Sequence, residues 1–296
     1  MSQRQPADTG IRRLREPVVI EGPLGIIAGG GQIPCIVADS ATARGLAVHI
    51  FGIRGEASED IERFPHTWAK WGELGKLFGT CDKEGCRDLV IVGGVSRPDL
   101  ANVKFDFGAL KHLPFIVSLG MGGDDQVLSS IVGFFESKGY RVHGASDIAP
   151  ELLAGEGNLS KKVPTADELA DIEIAYKVVR ELGRLDVGQA AVVAKGYVLA
   201  VEAAEGTDSM LDRCAELRRS GRARGRAGVL VKAPKPGQEE RIDMPTIGPV
   251  TVRKAAEAGL SGIAVAAGRV LMAERDATID AANQNRLFLL GRNWDD

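Results

Sequence analysis

Two segments in the second half of the chain carry the residue types that polyphosphate chemistry needs. The first, residues 198–208, reads Val198-Leu199-Ala200-Val201-Glu202-Ala203-Ala204-Glu205-Gly206-Thr207-Asp208. The second, residues 230–248, opens on Leu230-Val231-Lys232, passes through Gln238-Glu239-Glu240-Arg241-Ile242-Asp243-Met244-Pro245 and closes on Thr246-Ile247-Gly248. Each begins as an apolar strand and ends in charge, glycine and small hydroxyl groups. Glu202, Glu205, Asp208 and Asp243 offer the oxygen ligands that a hard cation such as Mg²⁺ takes. Lys232 and Arg241 offer positive charge for the oxygens of a transferring phosphoryl group, the arginine as a fork and the lysine as a point charge. Thr207, Gln238 and Thr246 stand beside them as expected substrate contacts. Asp243, bracketed by Ile242 and Met244, is poorly explained as a surface carboxylate and is the first choice for a catalytic group.

Simpler roles compete with these. A lysine on an apolar run often snorkels at a sheet edge. Thr207 or Asp208 has the right type to cap the helix that follows. Glu202 and Glu205 need not share a face, because side chains alternate along a strand.

The first half contributes Gly29-Gly30-Gly31-Gln32 after an apolar strand, a loop suited to bringing backbone N–H groups to phosphate at a helix start. It departs from a dinucleotide fingerprint, since Pro34 stands where the third glycine belongs and no acidic residue ends the second strand at Ile50-Phe51-Gly52. A nicotinamide-dependent oxidoreductase is thereby disfavoured, and a non-catalytic nucleotide-sensing module remains an alternative to an enzyme. Gly122-Gly123-Asp124-Asp125 opens another helix; one aspartate suffices to cap it, and the pair Asp124 and Asp125 is expected to contact substrate.

The elements that must position these groups alternate in the first half. Strands are predicted at 24–28, 47–51, 88–92 and 140–143, with helices after the first and over 124–138, where Val127, Ile131, Phe134 and Phe135 share a face. That alternation predicts an α/β fold, a Rossmann-like, doubly wound parallel-sheet N-terminal domain over 24–155. Residues 150–164, with Gly155, Gly157 and Pro164, read as a linker. The second domain, 163–296, reads as mixed α+β. It has helices over 166–182, 208–219 and 251–258, a hairpin turned at Lys195-Gly196, and strands over 228–233 and 262–267. No element is assigned after Ala267. Residues 1–23, polar and arginine-rich, read as a mobile extension without the apolar core of a secretory signal.

Composition narrows the function classes. With 296 residues, 44% hydrophobic and 26% charged, the chain has the make-up of a globular protein of two domains. A net charge of -3 gives no global field for nucleic acid. No run approaches the ~18 apolar residues of a membrane span. Cys35, Cys81, Cys86 and Cys214 lack zinc-site spacing and read as free thiols.

The chain resembles the LpxI-type UDP-2,3-diacylglucosamine pyrophosphatases of Gram-negative bacteria. The resemblance rests on 24–34, Ser96-Arg97-Pro98, Gly123-Asp124-Asp125, 185–189, Ala200 to Asp208 and Lys232 to Gly248, and covers nearly everything after Pro23. It implies Mg²⁺-dependent hydrolysis of UDP-2,3-diacylglucosamine to UMP and 2,3-diacylglucosamine 1-phosphate (lipid X), in lipid A biosynthesis. It implies two domains with substrate between them, a homodimer, and an essential aspartate in the R-x-D-x-P motif, which falls on Asp243. A substrate with acyl chains and a chain without a membrane span together imply a cytoplasmic enzyme working peripherally at the inner face of the inner membrane.

Overall fold

A computed structural model describes residues 18–96, 103, 105–118, 124–222 and 227–294. The expected extension therefore lies outside the described residues except for 18–23, as do Arg97, Pro98, Gly122 and Gly123.

The first sheet is built from β1 (Leu24–Ala28), β2 (Val48–Ile53), β3 (His66–Ala69), β4 (Asp88–Val92) and β5 (Arg141–His143). All pairings are parallel, in the order β3-β2-β1-β4-β5. The strand at its centre, β1, is buried at all five residues, as an unbroken apolar run covered on both faces must be. Helices α1 (Ile33–Ala43), α2 (Leu74–Glu84), α3 (Phe107–Leu110), α4 (Leu113–Ser118), α5 (Asp124–Ser137) and α6 (Ala145–Ile148) accompany it. The strand order runs one way from β1 to β3 and the other from β4 to β5. The crevice beyond the carboxyl ends of β1 and β4 is thus the switch point at which open α/β sheets hold ligands.

The second sheet takes β6 (Gly157–Asn158), β7 (Ala190–Ala194), β8 (Tyr197–Val201), β9 (Val229–Lys232), β11 (Gly262–Ala266) and β13 (Phe288–Arg292), in the order β6-β13-β11-β9-β7-β8. Its β9, β11 and β13 are parallel, while β6, β7 and β8 join antiparallel. The mixed sheet expected from the sequence is present, and the hairpin turns where predicted. There Lys195 and Gly196 both adopt positive φ, and the Asp171 carboxylate accepts their amides at 2.7 and 2.6 Å. Around the sheet lie α7 (Ala166–Gly183), α8 (Gly206–Arg219), α9 (Pro249–Glu257) and α10 (Arg275–Gln284). The start of α7 is a capping box: Thr165 accepts the Glu168 amide and Glu168 accepts the Thr165 amide.

A short parallel pair, β10 (Thr246–Ile247) with β12 (Leu271–Met272), seats one domain on the other. Leu271 is buried in the core of the first domain, and Met244 and Ala273 pack against it. The segment 150–164, read as a linker, carries structure of its own: Leu152 and Ala154 are buried and β6 pairs with β13. Of the elements after Ala267, α10 escaped the sequence reading because it buries only Thr278, Ala281 and Ala282, so its apolar stripe is faint.

At the amino end of β4 the Asp88 side chain is 0% exposed. It accepts Arg141 Nε and Nη2 at 2.7 Å each, His143 Nε2 at 2.7 Å and the Glu21 amide at 3.1 Å. Burial alone would raise this carboxyl, but the Arg141 and His143 bonds and the Glu21 amide outweigh it and hold it below the usual aspartate range. A depressed value means stability present above the unfolded pKa and lost as pH falls through the folded one. Asp88→Asn is therefore expected to cost about 3 kcal/mol at neutral pH, as breaking a buried pair does. It should also flatten the acid side of the stability curve, read by urea melts between about pH 3 and 7.

Candidate active site

A cleft of about 530 Å³ lies between the glycine loops of the first sheet and the 240–251 segment of the second domain, a size common for small-molecule sites. Its first wall follows from the carboxyl ends of β1 and β4. Gly29 donates to Val92 O at 2.9 Å, and Gly30 and Gly94 exchange backbone bonds at 2.6 and 3.1 Å. The two loops touch so closely that a Cβ on Gly29 would sit 2.5 Å from Gly94 O. Gly30, Gly31, Gly93 and Gly94 line the cleft, followed by Gln32 and Ile33 where α1 begins. No side-chain cap occupies the first turn of α1, so the Ile33 and Cys35 amides are left for an anion, Pro34 having none. Gly29 itself is a packing glycine. The Gln32 side chain donates from Nε2 to Asp60 Oδ2 at 3.2 Å.

The second wall is charged. Lys232, Asp208, Arg241, Asp243 and Thr246 all line it, with Gln189 beside them. Lys232 ends β9, which lies between β7 and β11, so it is no edge lysine. It is 6% exposed and donates to Thr207 Oγ1 at 2.7 Å, while the Thr207 hydroxyl donates to Glu202 Oε2 at 3.0 Å. Burial pushes its ammonium down from the ordinary lysine value, opposed by Glu202, Asp208 and Asp243. Asp243 is pushed the other way. Burial raises its carboxyl, the Gln238 hydrogen bond and Lys235 lower it, Asp125 raises it and Lys232 lowers it.

Several expected site residues do something else. Thr207 neither caps α8 nor faces the cleft; its hydroxyl is held between Lys232 and Glu202, because α8 starts two residues earlier than predicted, at Gly206, and turns it inward. Glu202 is buried behind Lys232, and Glu205 turns outward to Arg213 at 2.7 Å. The expected metal quartet of Glu202, Glu205, Asp208 and Asp243 does not converge. Among the described residues no group of three or more His, Cys, Asp or Glu side chains could hold a metal ion. Arg241 reaches the cleft but its fork grips Glu239 at 2.8 and 2.7 Å and reaches Glu136 on α5 at 2.7 Å. Gln238 sits behind Asp243 instead of on the cleft wall. Asp125 pairs with Lys235 Nζ at 2.9 Å, and Asp124 opens α5 with its side chain outside the described residues.

Sequence reasoning missed the cationic partner in this network. Lys235, buried, ties Asp125 of the first domain to Asp186 in the loop after α7. With Arg241–Glu136, it fastens the 233–245 loop to one face of α5, about three turns apart. Gly93-Gly94 was also missed, although two glycines directly after the predicted strand 88–92 carry the same signal as Gly29 to Gly31. The four cysteines are buried and free; burial pushes Cys81 up to about 12 and Cys86 and Cys214 up to about 11, which makes them inert core thiols.

Comparison with known proteins gives the geometry its context. Residues 23–152 match the LpxI N-terminal domain and residues 155–290 the LpxI C-terminal domain. The chain belongs to the LpxI family. It is 45% identical over 270 residues to the UDP-2,3-diacylglucosamine pyrophosphatase LpxI of Caulobacter vibrioides, spanning 90% of this chain and 96% of that protein. The two LpxI domains meet at residues 152–155, between the two sheets, and the cleft is lined from both.

Proposed function

We propose that this protein hydrolyses the pyrophosphate bond of UDP-2,3-diacylglucosamine, with Mg²⁺, to UMP and 2,3-diacylglucosamine 1-phosphate. The observation that carries the reading is the pairing across one cleft of a glycine-lined helix start with a wall of Lys232, Asp208 and Asp243, in a chain 45% identical to an LpxI pyrophosphatase. The parallel sheet acts as a Rossmann-like nucleotide unit, supported by its strand order and by a cleft at its switch point.

The chain's own groups divide the work. The first amides of α1 and the glycine loops receive the nucleotide phosphate. Lys232 offsets charge on the pyrophosphate oxygens from a desolvated position, where its field is strong. Asp243, its carboxyl raised by burial, orients the attacking water and accepts its proton. Arg241 serves as a clamp between domains while its fork holds Glu239 and Glu136. The donor set suits Mg²⁺ held by Asp208 with the substrate's own phosphates, since this ion is commonly bound through one or two carboxylates and keeps several waters. When bound it would neutralise charge on the bridging and terminal phosphate oxygens. Among the described residues no helix is long and apolar enough to cross a membrane. Access to a lipid substrate is therefore read as peripheral, from the cytoplasmic face of the inner membrane. Persistence in membranes after high-salt washing, with release only by detergent, would count against that.

Incubation with UDP-2,3-diacylglucosamine and Mg²⁺, followed by thin-layer chromatography, tests the reading. UMP and lipid X are expected, and chelation by EDTA should abolish their formation. Nucleotide binding without turnover would identify a sensing module instead. The glycine loop gives a second test. At Gly30 a Cβ would meet Glu56 O at 3.1 Å and Gly94 O at 3.3 Å, tight but adjustable. Gly30→Ala is expected to weaken UMP binding more than lipid X binding with a small change in Tm, measured by calorimetry. Gly29→Ala, forced against backbone, should mainly lower Tm.

A further inference from the structure

We propose that Gln238 is a positioning residue for Asp243, gripping one carboxylate oxygen from behind so that the other is presented to the cleft. This deepens the reading of Asp243 given above and rests on it.

The direction of the Gln238 amide is decided by the backbone. The Lys235 N–H, which can only donate, lies 2.7 Å from Gln238 Oε1. The NH₂ end must therefore face the other way, where it meets Asp243 Oδ2 at 2.5 Å and Gln189 Oε1 at 3.2 Å. Both amide hydrogens are thus engaged, which leaves none for substrate. The grip is itself braced. The Gln238 backbone N–H returns a bond to Lys235 O at 3.2 Å, closing the turn Lys235-Pro236-Gly237-Gln238. Lys235 is anchored by Asp125 and Asp186. Gln238 is 8% exposed, so this arrangement is shielded from competing water. A donor fixed by a rigid turn limits the rotation of the Asp243 carboxylate, and partners that orient reactive or ligating groups are worth about 10–100-fold. The same chain of contacts makes the aim of Asp243 depend on the hold of α5 on the loop.

The test compares Gln238→Met, Asp243→Asn and the double variant, reading kcat, KM, UMP affinity without Mg²⁺, and Tm. Gln238→Met is expected to lose about 10–100-fold in kcat. Its KM and UMP affinity should hold within about twofold, a difference of roughly 0.4 kcal/mol. In the double variant it should add nothing to the loss caused by Asp243→Asn, because a positioning residue has no effect once its target is gone. Losses that multiply in the double variant, or a raised KM with kcat intact, would overturn the proposal. If Asp243→Asn keeps near-normal kcat, the failure belongs to the reading of Asp243 itself. Should Gln238→Met melt early, Gln238→Glu keeps the Lys235 amide bond but turns an acceptor toward Asp243, and the same kcat loss is expected.

Discussion

Asp243→Asn is expected to fold, to bind substrate and to lose at least ~10³-fold in kcat, about 4 kcal/mol. Asp243→Ala should be as inactive. The asparagine result is the more telling because Gln238 dictates how the new side chain sits. Gln238 Nε2 donates to Oδ2 at 2.5 Å, so the asparagine oxygen must take that place and its NH₂ must face the cleft. A donor then stands where the attacking water needs an acceptor. Stability should move oppositely. Burial raises the Asp243 carboxyl, with the Gln238 bond, Lys235 and Lys232 opposing and Asp125 adding to it. A folded pKa above the unfolded one means that the ionised form costs stability as pH rises through it. At neutral pH the neutral amide escapes that cost, so Asp243→Asn is expected to melt at or above the parent temperature, a trade of stability against activity. The acid limb of the kcat profile should lie above the ordinary aspartate range. An Asp243→Asn protein with near-normal kcat would reduce Asp243 to a turn residue.

Much of this site was readable from one sequence, and the unread parts share a cause. Asp243 drew notice because a carboxylate between Ile242 and Met244 before a proline is locally costly, and local cost is what a sequence displays. Gly29 to Gly31 were legible as a loop after an apolar strand. The roles of Glu202, Glu205 and Thr207 were not. They depend on where α8 begins relative to β8, a shift of one or two residues that composition leaves open. The edge role that competed for Lys232 failed for a similar reason. A run such as Leu230-Val231-Lys232 reads alike at the rim or the middle of a sheet, and only the pairing of β9 with β7 and β11, distant in the chain, decides. Lys235 was hidden because its partners Asp125 and Asp186 lie in other elements and, for Asp125, in the other domain. Sheet order posed the same problem: alternation of strand and helix implies a parallel sheet, whereas the reversal between β1 and β4 that locates the cleft is a property of the whole fold.

Because Lys232 is central and buried, its substitution is expected to act on chemistry more than on folding. Lys232→Met is the informative variant, since it keeps the length of the stem and avoids the cavity that alanine would leave. The ammonium stands near Glu202, Asp208 and Asp243, and each of the three counteracts the burial that lowers its pKa. Removing it leaves the carboxylates of that wall facing an incoming pyrophosphate, so like charges meet there. A kcat loss of about 10²–10³-fold, roughly 3–4 kcal/mol, is expected, the size seen when a preorganised group stabilising developing charge is lost. Asp243 should respond too. Lys232 is one of the groups holding its carboxyl down, so the acid limb of the kcat profile should move to higher pH in Lys232→Met. Lys232→Arg should not rescue, because a planar fork needs more room than the ammonium bound to Thr207 Oγ1 at 2.7 Å. Thr207→Val, which removes that acceptor while keeping the shape, should reproduce part of the loss. If Lys232→Met stays within about twofold of the parent, some 0.4 kcal/mol, the lysine only balances the buried charge of Glu202, and the pyrophosphate must be neutralised by other groups.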